Sequence, residues 1–224
     1  MASSTISGMI GQVAQPVLVS INDERDREVR VFRKLMRFTA FLSFPIMFGL
    51  ALVAKEFILL TIGGRWIDSI PLLQVLCISG AFLPFYTLYQ NLTVSNGKSN
   101  IYMWCNIAQI AIQLIIILTL YHYGIMVVVC VYTIYTILWL IVWQDIARRL
   151  IGISLWNILK DITPFLVIAS ATMLVTYLLT TGITSNILLL LTRIALSVIL
   201  YCGVMKLLKA KVMDECIKFA LRKN

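Results

Sequence analysis

Few residues in this chain are equipped for chemistry, and most of those are uncharged amides set inside apolar runs. Gln90 and Asn91 fall in the second half of the stretch from Pro71 to Asn100, PLLQVLCISGAFLPFYTLYQNLTVSNGKSN. Tyr102, Asn106, Gln109 and Gln113 follow at i, i+4, i+7 and i+11, a spacing that points all four the same way from a helix. A polar stripe of this kind either makes hydrogen bonds to neighbouring helices or lines a substrate pathway. Arg193 is the anomaly, because a charge inside an apolar helix costs roughly 2.5–3.5 kcal/mol on insertion scales. It stands close enough to one end of its run to snorkel, and that is the expectation.

Reactive constellations do not appear. There is no carboxylate pair, no Ser/His/Asp set and no Cys/His cluster. His122, the only histidine, sits at the end of an apolar run, where a solvated ring is expected. Cys77, Cys105, Cys130, Cys202 and Cys216 lack metal-ligand spacing and read as small core residues. Gly97-Lys98-Ser99 imitates the end of a phosphate-binding loop, but Leu92 occupies the position of the required earlier glycine. The chain is therefore expected not to be an enzyme, and no cofactor or metal is implied.

The elements that hold these amides must be membrane helices. Hydrophobic residues make up 60% of the chain, charged residues 13%, and the mean hydropathy is +0.92, against about 25% charged residues in an ordinary soluble domain. Between Asp68 and Lys98 no charge occurs, a run longer than the roughly 20 residues that cross a bilayer. Pro71 suits a first helical turn, whereas Pro84 lies mid-span and frees a carbonyl that must find a donor in a neighbour. A kink is expected there and at Pro45.

In chain order, residues 1–20 predict a modestly apolar partial helix whose small residues Ser4, Gly8 and Gly11 share a stripe with Gln15. Residues 21–37 form an acidic-then-basic arm that complements a helix dipole. Spans follow at 38–54, from Pro71, on either side of His122-Tyr123-Gly124, at 161–181 and at 187–205. The tail from Lys206 is basic. Four segments, 22–37, 97–99, 145–160 and 205–224, hold 16 of the 19 Lys and Arg residues. Six spans place all four on one side, so that side is expected to be cytoplasmic and the C-terminus with it. This explains the net charge of +9 without nucleic acid.

The expected fold class is accordingly all-α, a polytopic integral membrane helix bundle of one partial helix plus six transmembrane helices. Two regions are expected: 1–145, with the partial helix, the arm and four spans, and 146–224, with two additional spans and the basic cytoplasmic tail.

An ordered series of segments resembles oligosaccharide-lipid (O-antigen or exopolysaccharide) flippases of the multidrug/oligosaccharidyl-lipid/polysaccharide exporter superfamily. It comprises Gln15-Pro16-Val17-Leu18-Val19-Ser20, the arm, Phe44-Pro45-Ile46-Met47-Phe48-Gly49-Leu50, Gly63-Gly64-Arg65-Trp66, Pro71-Leu72-Leu73-Gln74 and Asn96-Gly97-Lys98-Ser99. The resemblance is to the C-terminal half, the second lobe and last two helices of a fourteen-helix flippase. It implies translocation of an undecaprenyl-pyrophosphate-linked oligosaccharide across the bacterial inner membrane for O-antigen, capsule or exopolysaccharide biosynthesis. The implied partners are that lipid-linked oligosaccharide, membrane lipids, the missing N-terminal lobe and a polysaccharide polymerase.

By the same resemblance Gln12 and Gln15 join the candidates for a substrate pathway, because the corresponding helix lines the cavity in relatives. The others are Gln90, Asn91, Asn106, Gln109, Gln113 and Arg193. The last two helices of relatives form a lipid-holding groove, which residues 162–205 would supply. Met1 would match an internal family position, so the chain is expected to be truncated and inactive alone, since alternating access rocks one bundle against another. The alternatives are a membrane-embedded polysaccharide polymerase or ligase, an accessory non-transporting membrane subunit, or a drug or cation antiporter. The last would call for buried carboxylates in mid-span.

Overall fold

The computed structural model describes residues 2–19, 25–183 and 185–207. These residues form helices α1 (Ala2–Val19), α2 (Arg25–Leu52), α3 (Ala54–Thr61), α4 (Ile70–Ser95), α5 (Ser99–Leu120), α6 (Ile125–Ile151), α7 (Leu155–Leu179) and α8 (Asn186–Leu207). Six of them, α2 and α4 to α8, are long and apolar enough to cross a membrane. The protein is thus an all-α, multi-pass membrane bundle. The basic tail from residue 208 lies outside the described residues, as do Asp23 and Glu24 of the arm.

The arm and the first span are one continuous helix, α2. Residues 25–37 contain no Gly or Pro to break it, and Asp26 and Glu28 occupy its first turn, where the helix dipole favours negative charge. The apolar part begins at Phe38. Beyond Leu52 the chain bends only at Val53, whose N–H still reaches the carbonyl of Gly49 at 3.1 Å. α3 then carries the chain to the turn at Gly63 and a short 3₁₀ segment, Gly64–Ser69.

Packing centres on α4, which lies against α1, α2 and α6. On the far side of α2 stands α7, followed by α8. The core between α2 and α4 is aromatic: Phe44 meets Phe82 and Phe85 with ring centres 5.5 and 5.7 Å apart. Gly80 permits the close approach, since a Cβ there would stand 2.4 Å from the Met47 terminal methyl.

Proline explains several of the bonds between helices. Pro84 lies inside α4 and Pro45 inside α2, and each removes the N–H that would serve the carbonyl four residues earlier. For Pro84 that carbonyl belongs to Gly80, and Ser3 Oγ of α1 donates to it at 3.0 Å. For Pro45 it belongs to Phe41, and the Tyr201 hydroxyl of α8 donates to it at 3.0 Å. Both freed acceptors are met from another helix, as hydrocarbon surroundings demand.

The contact face of α1 differs from the expected stripe. Ser3, Ile6, Ala14 and Leu18 are buried, whereas Ser4 and Gly8 are exposed. Of the small residues, Gly11 meets α4, with Thr87 Cγ2 3.2 Å from where its Cβ would be. The buried face includes Ser3, the residue that donates to Gly80.

One end of the bundle gathers three basic segments. Asn96 Nδ2, just past α4, donates to Glu28 Oε1 at 2.6 Å. Arg33 makes two hydrogen bonds to Asp161 at the start of α7, at 2.6 and 3.1 Å. Gly152, the left-handed residue that ends α6 at φ 76°, lies against the Arg25 guanidinium. The opposite end holds the 3₁₀ segment, Tyr121–Tyr123 and the start of α8.

Candidate functional site

Two of the amides singled out from the sequence, Gln90 and Asn106, meet between α4 and α5, and a third, Asn91, follows Gln90 on α4. Gln90 Nε2 donates to Asn106 Oδ1 at 3.2 Å, and Asn106 Nδ2 donates in turn to the Tyr102 carbonyl at 2.8 Å. Asn91 lies against α1, its Nδ2 3.7 Å from where a Cβ on Gly11 would be. Its Nδ2 is buried and has no hydrogen-bond partner among the described residues. Gln90 lies five residues from the end of α4, so the cluster is about 8 Å inside the basic end.

The rest of the α5 stripe runs away from that cluster. Tyr102, Asn106, Gln109 and Gln113 are all half-buried, while most other α5 positions are exposed. No α5 residue is fully buried. The stripe faces α4 and α6: the Tyr135 hydroxyl donates to the Gln109 carbonyl at 3.2 Å, and Tyr102 lies 6.5 Å from the Trp143 ring. The Asn106 side chain thus bonds across to α4, and the Gln109 backbone to α6. The side chains of Gln12 and Gln15 lie outside the described residues, although their helix is in place over α4.

Next to the amides, a polar seam ties α4 to α6. Tyr89 donates to Gln144 Oε1 at 2.7 Å, and Gln144 Nε2 donates to the Ile153 carbonyl at 3.0 Å. Tyr86 donates to the Thr136 carbonyl. Thr133 Oγ1 and Thr136 Oγ1 are buried without a partner among the described residues. This seam was not singled out from the sequence, because tyrosine and threonine in apolar runs look like ordinary core.

Arg193 stands apart from all of these. It does not snorkel: its side chain is 8% exposed and pairs with Glu56 Oε1 of α3 at 2.8 Å. Its Nε donates to Thr180 Oγ1 at 3.1 Å and its Nη1 to the Leu52 carbonyl at 3.3 Å, and the Tyr177 ring lies 5.3 Å away. An internal carboxylate at the right height outcompetes the membrane surface.

Among the described residues three carboxylates are buried, Glu28, Glu56 and Asp161, each near a helix end and each bonded to Asn96, Arg193 or Arg33. Burial raises the Glu28 carboxyl above its ordinary pKa, against smaller opposing pulls from the Asn96 amide and the Arg25 guanidinium. Arg33 is held more firmly protonated by its hydrogen bonds to Asp161. Among the described residues no three His, Cys, Asp or Glu side chains converge as metal ligands would.

Two apolar grooves open on the outside of the bundle. One, of about 510 Å³, runs between α2 and α8 from Phe41 to Val53, and Met173 is the only contribution of α7. The other, of about 500 Å³, lies between α5 and α6 at the basic end.

Comparison with known proteins places this architecture in a biological context. Residues 1–71, which span α1, α2, α3 and the turn into α4, match the family model described as "Polysaccharide biosynthesis protein". An "uncharacterized membrane protein in cps region" of Klebsiella pneumoniae is 33% identical over 109 residues, 49% of this chain and 22% of that protein. The lipopolysaccharide biosynthesis protein WzxC of Escherichia coli K12 is 32% identical over 75 residues, 34% of this chain and 15% of its own length. The teichuronic acid biosynthesis protein TuaB of Bacillus subtilis 168 is 25% identical over 96 residues, 43% of this chain and 20% of its own. The aligned part is thus about a fifth of each curated relative. No solved structure matches.

Proposed function

We propose, from the premise that this chain belongs to the polysaccharide biosynthesis family of membrane proteins, that it forms part of a flippase. Its cargo is an undecaprenyl-pyrophosphate-linked oligosaccharide, carried across the bacterial inner membrane for O-antigen, capsule or exopolysaccharide assembly. The basic end faces the cytoplasm, and the C-terminus with it. Residues 1–145 act as a transporter lobe and 146–224 as two additional spans. A second bundle, from elsewhere in the same protein or from another chain, supplies the surface against which this one rocks, and a polysaccharide polymerase uses the delivered units.

The observation that carries this reading is the Gln90, Asn91, Asn106 cluster. Here a buried amide donor, Asn91 Nδ2, without a partner among the described residues lies in an apolar span beside α1, a helix within the segment that matches the family. Hydroxyl-rich cargo is bound by such neutral donors and acceptors, whereas bond cleavage needs a proton-transfer group. Gln109 and Gln113 continue the pathway along α5, and Gln12 and Gln15 of α1 are further candidates from the sequence. Arg193 holds the bundle together and does not touch cargo.

The test replaces Asn91 and Asn106 by Leu in the producing bacterium, at matched protein level. Surface polysaccharide should fall while lipid-linked units accumulate facing the cytoplasm, out of reach of an impermeant lectin. Accumulation at the outer face would instead assign the defect to polymerase or ligase chemistry and overturn the flippase reading.

A further inference from the structure

We propose that the groove between α5 and α6 binds a glycerophospholipid whose headgroup carries both a phosphate and a primary ammonium. Ile101 and Cys105 of α5 and Ile141, Val142, Ile146 and Leu150 of α6 line it, enclosing about 500 Å³. That volume is within the roughly 300–1,000 Å³ of ordinary small-molecule pockets, yet the groove opens to the side of the bundle, where acyl chains lie. Among the described residues α5 has no fully buried residue, and its packing is against α4, α6 and the turn that joins it to α6. The seam is therefore left for something else to fill.

The rim selects the headgroup. Asp145 and Arg149 also line the groove, at its basic end, and Arg149 Nη2 lies 2.6 Å from Asp145 Oδ2. Their side chains are 51% and 79% exposed, so the pair stands open at the depth of the headgroups. One carboxylate and one guanidinium make a neutral but polarised rim. A zwitterion fits it pole to pole, with phosphate oxygens accepting from Arg149 and the ammonium donating to Asp145. A headgroup with phosphate alone leaves Asp145 facing negative charge. A choline headgroup has no N–H to donate. The site is independent of the transported cargo, since it lies on α5 and α6 outside the amide cluster.

Delipidated full-length protein in detergent is titrated with phosphatidylethanolamine, phosphatidylglycerol or phosphatidylcholine of identical acyl chains, and retained lipid is read by native mass spectrometry. Phosphatidylethanolamine should be retained about fivefold better than either, the size of one exposed charge contact. Asp145→Asn should abolish that preference, whereas Arg149→Gln should lower retention of all three lipids, and both side chains are exposed enough to leave folding intact. Cys105→Phe, which fills the groove, should lower retention of all three lipids. Equal retention of the three lipids by the unaltered protein overturns the proposal, as does a preference for phosphatidylglycerol or one that survives Asp145→Asn.

Discussion

At the scale of single residues, the hydrogen bonds that matter most are those no backbone group can replace. The Gly80 and Phe41 carbonyls lost their i+4 helical donors to Pro84 and Pro45, and Ser3 and Tyr201 donate to them from other helices. Ser43 Oγ also donates to a carbonyl, that of Ala81 at 2.7 Å, but there Phe85 still offers its own N–H. Ser3→Ala and Tyr201→Phe should each cost about 1–2 kcal/mol, against about 0.6 kcal/mol for Ser43→Ala, as read by unfolding in mixed micelles. Glu28 allows a different test. Its raised pKa means that the folded chain keeps this proton to higher pH than the unfolded chain does. Its contribution to stability is therefore full below the ordinary glutamate pKa of about 4.3 and declines as pH rises through the folded value. Glu28→Gln keeps an acceptor for Asn96 and removes the titration. Unfolding measured from pH 4.5 upward should be flatter in this variant than in the parent.

At the scale of elements, the helices were legible in the sequence and their partners were not. Charge-free runs and the divider at His122-Tyr123-Gly124 are local signals, and the structure has its six long apolar helices where those signals place them. That Pro84 needs an outside donor was also readable, because it follows from one residue. Which residue supplies it was not, and the contact face of α1 was misjudged by about one position. Arg193 and Glu56 are 137 residues apart, and Arg33 and Asp161 are 128 apart. No periodicity connects such positions, and only packing brings them to the same height. The amide cluster was half legible: the spacing showed that Asn106 shares a face with Gln109, but not that Gln90 would meet it. The Arg193–Glu56 pair fastens α8 to α3, and removing one member leaves the other charge buried. Arg193→Met alone should therefore destabilise by about 3–5 kcal/mol, whereas Arg193→Met with Glu56→Leu should recover most of that loss. If the single and double variants unfold alike, the pair is not what joins these helices.

At the scale of the whole molecule, the two ends of the bundle are electrostatically unlike. Residues 25–37, Lys98 and residues 145–160 meet at one end through the Glu28–Asn96, Arg33–Asp161 and Arg25–Gly152 contacts. At the other end Lys55 and Arg65 are the exposed cations among the described residues, while Arg193 is neutralised by Glu56. Burying Arg193 in an ion pair therefore increases the asymmetry that membrane insertion reads, since one of the few cations on the far side no longer counts as free charge. The basic end should face the cytoplasm, which places the amide cluster about 8 Å inside the face from which a lipid-linked substrate would enter. A membrane-impermeant maleimide distinguishes the orientations. Arg65→Cys, in the exposed 3₁₀ segment, should be labelled in intact cells, and Lys98→Cys, in the turn after α4, only after permeabilisation. The reverse pattern would turn the bundle over and put the cluster near the exit, where a role in cargo entry fails however well the amides bind.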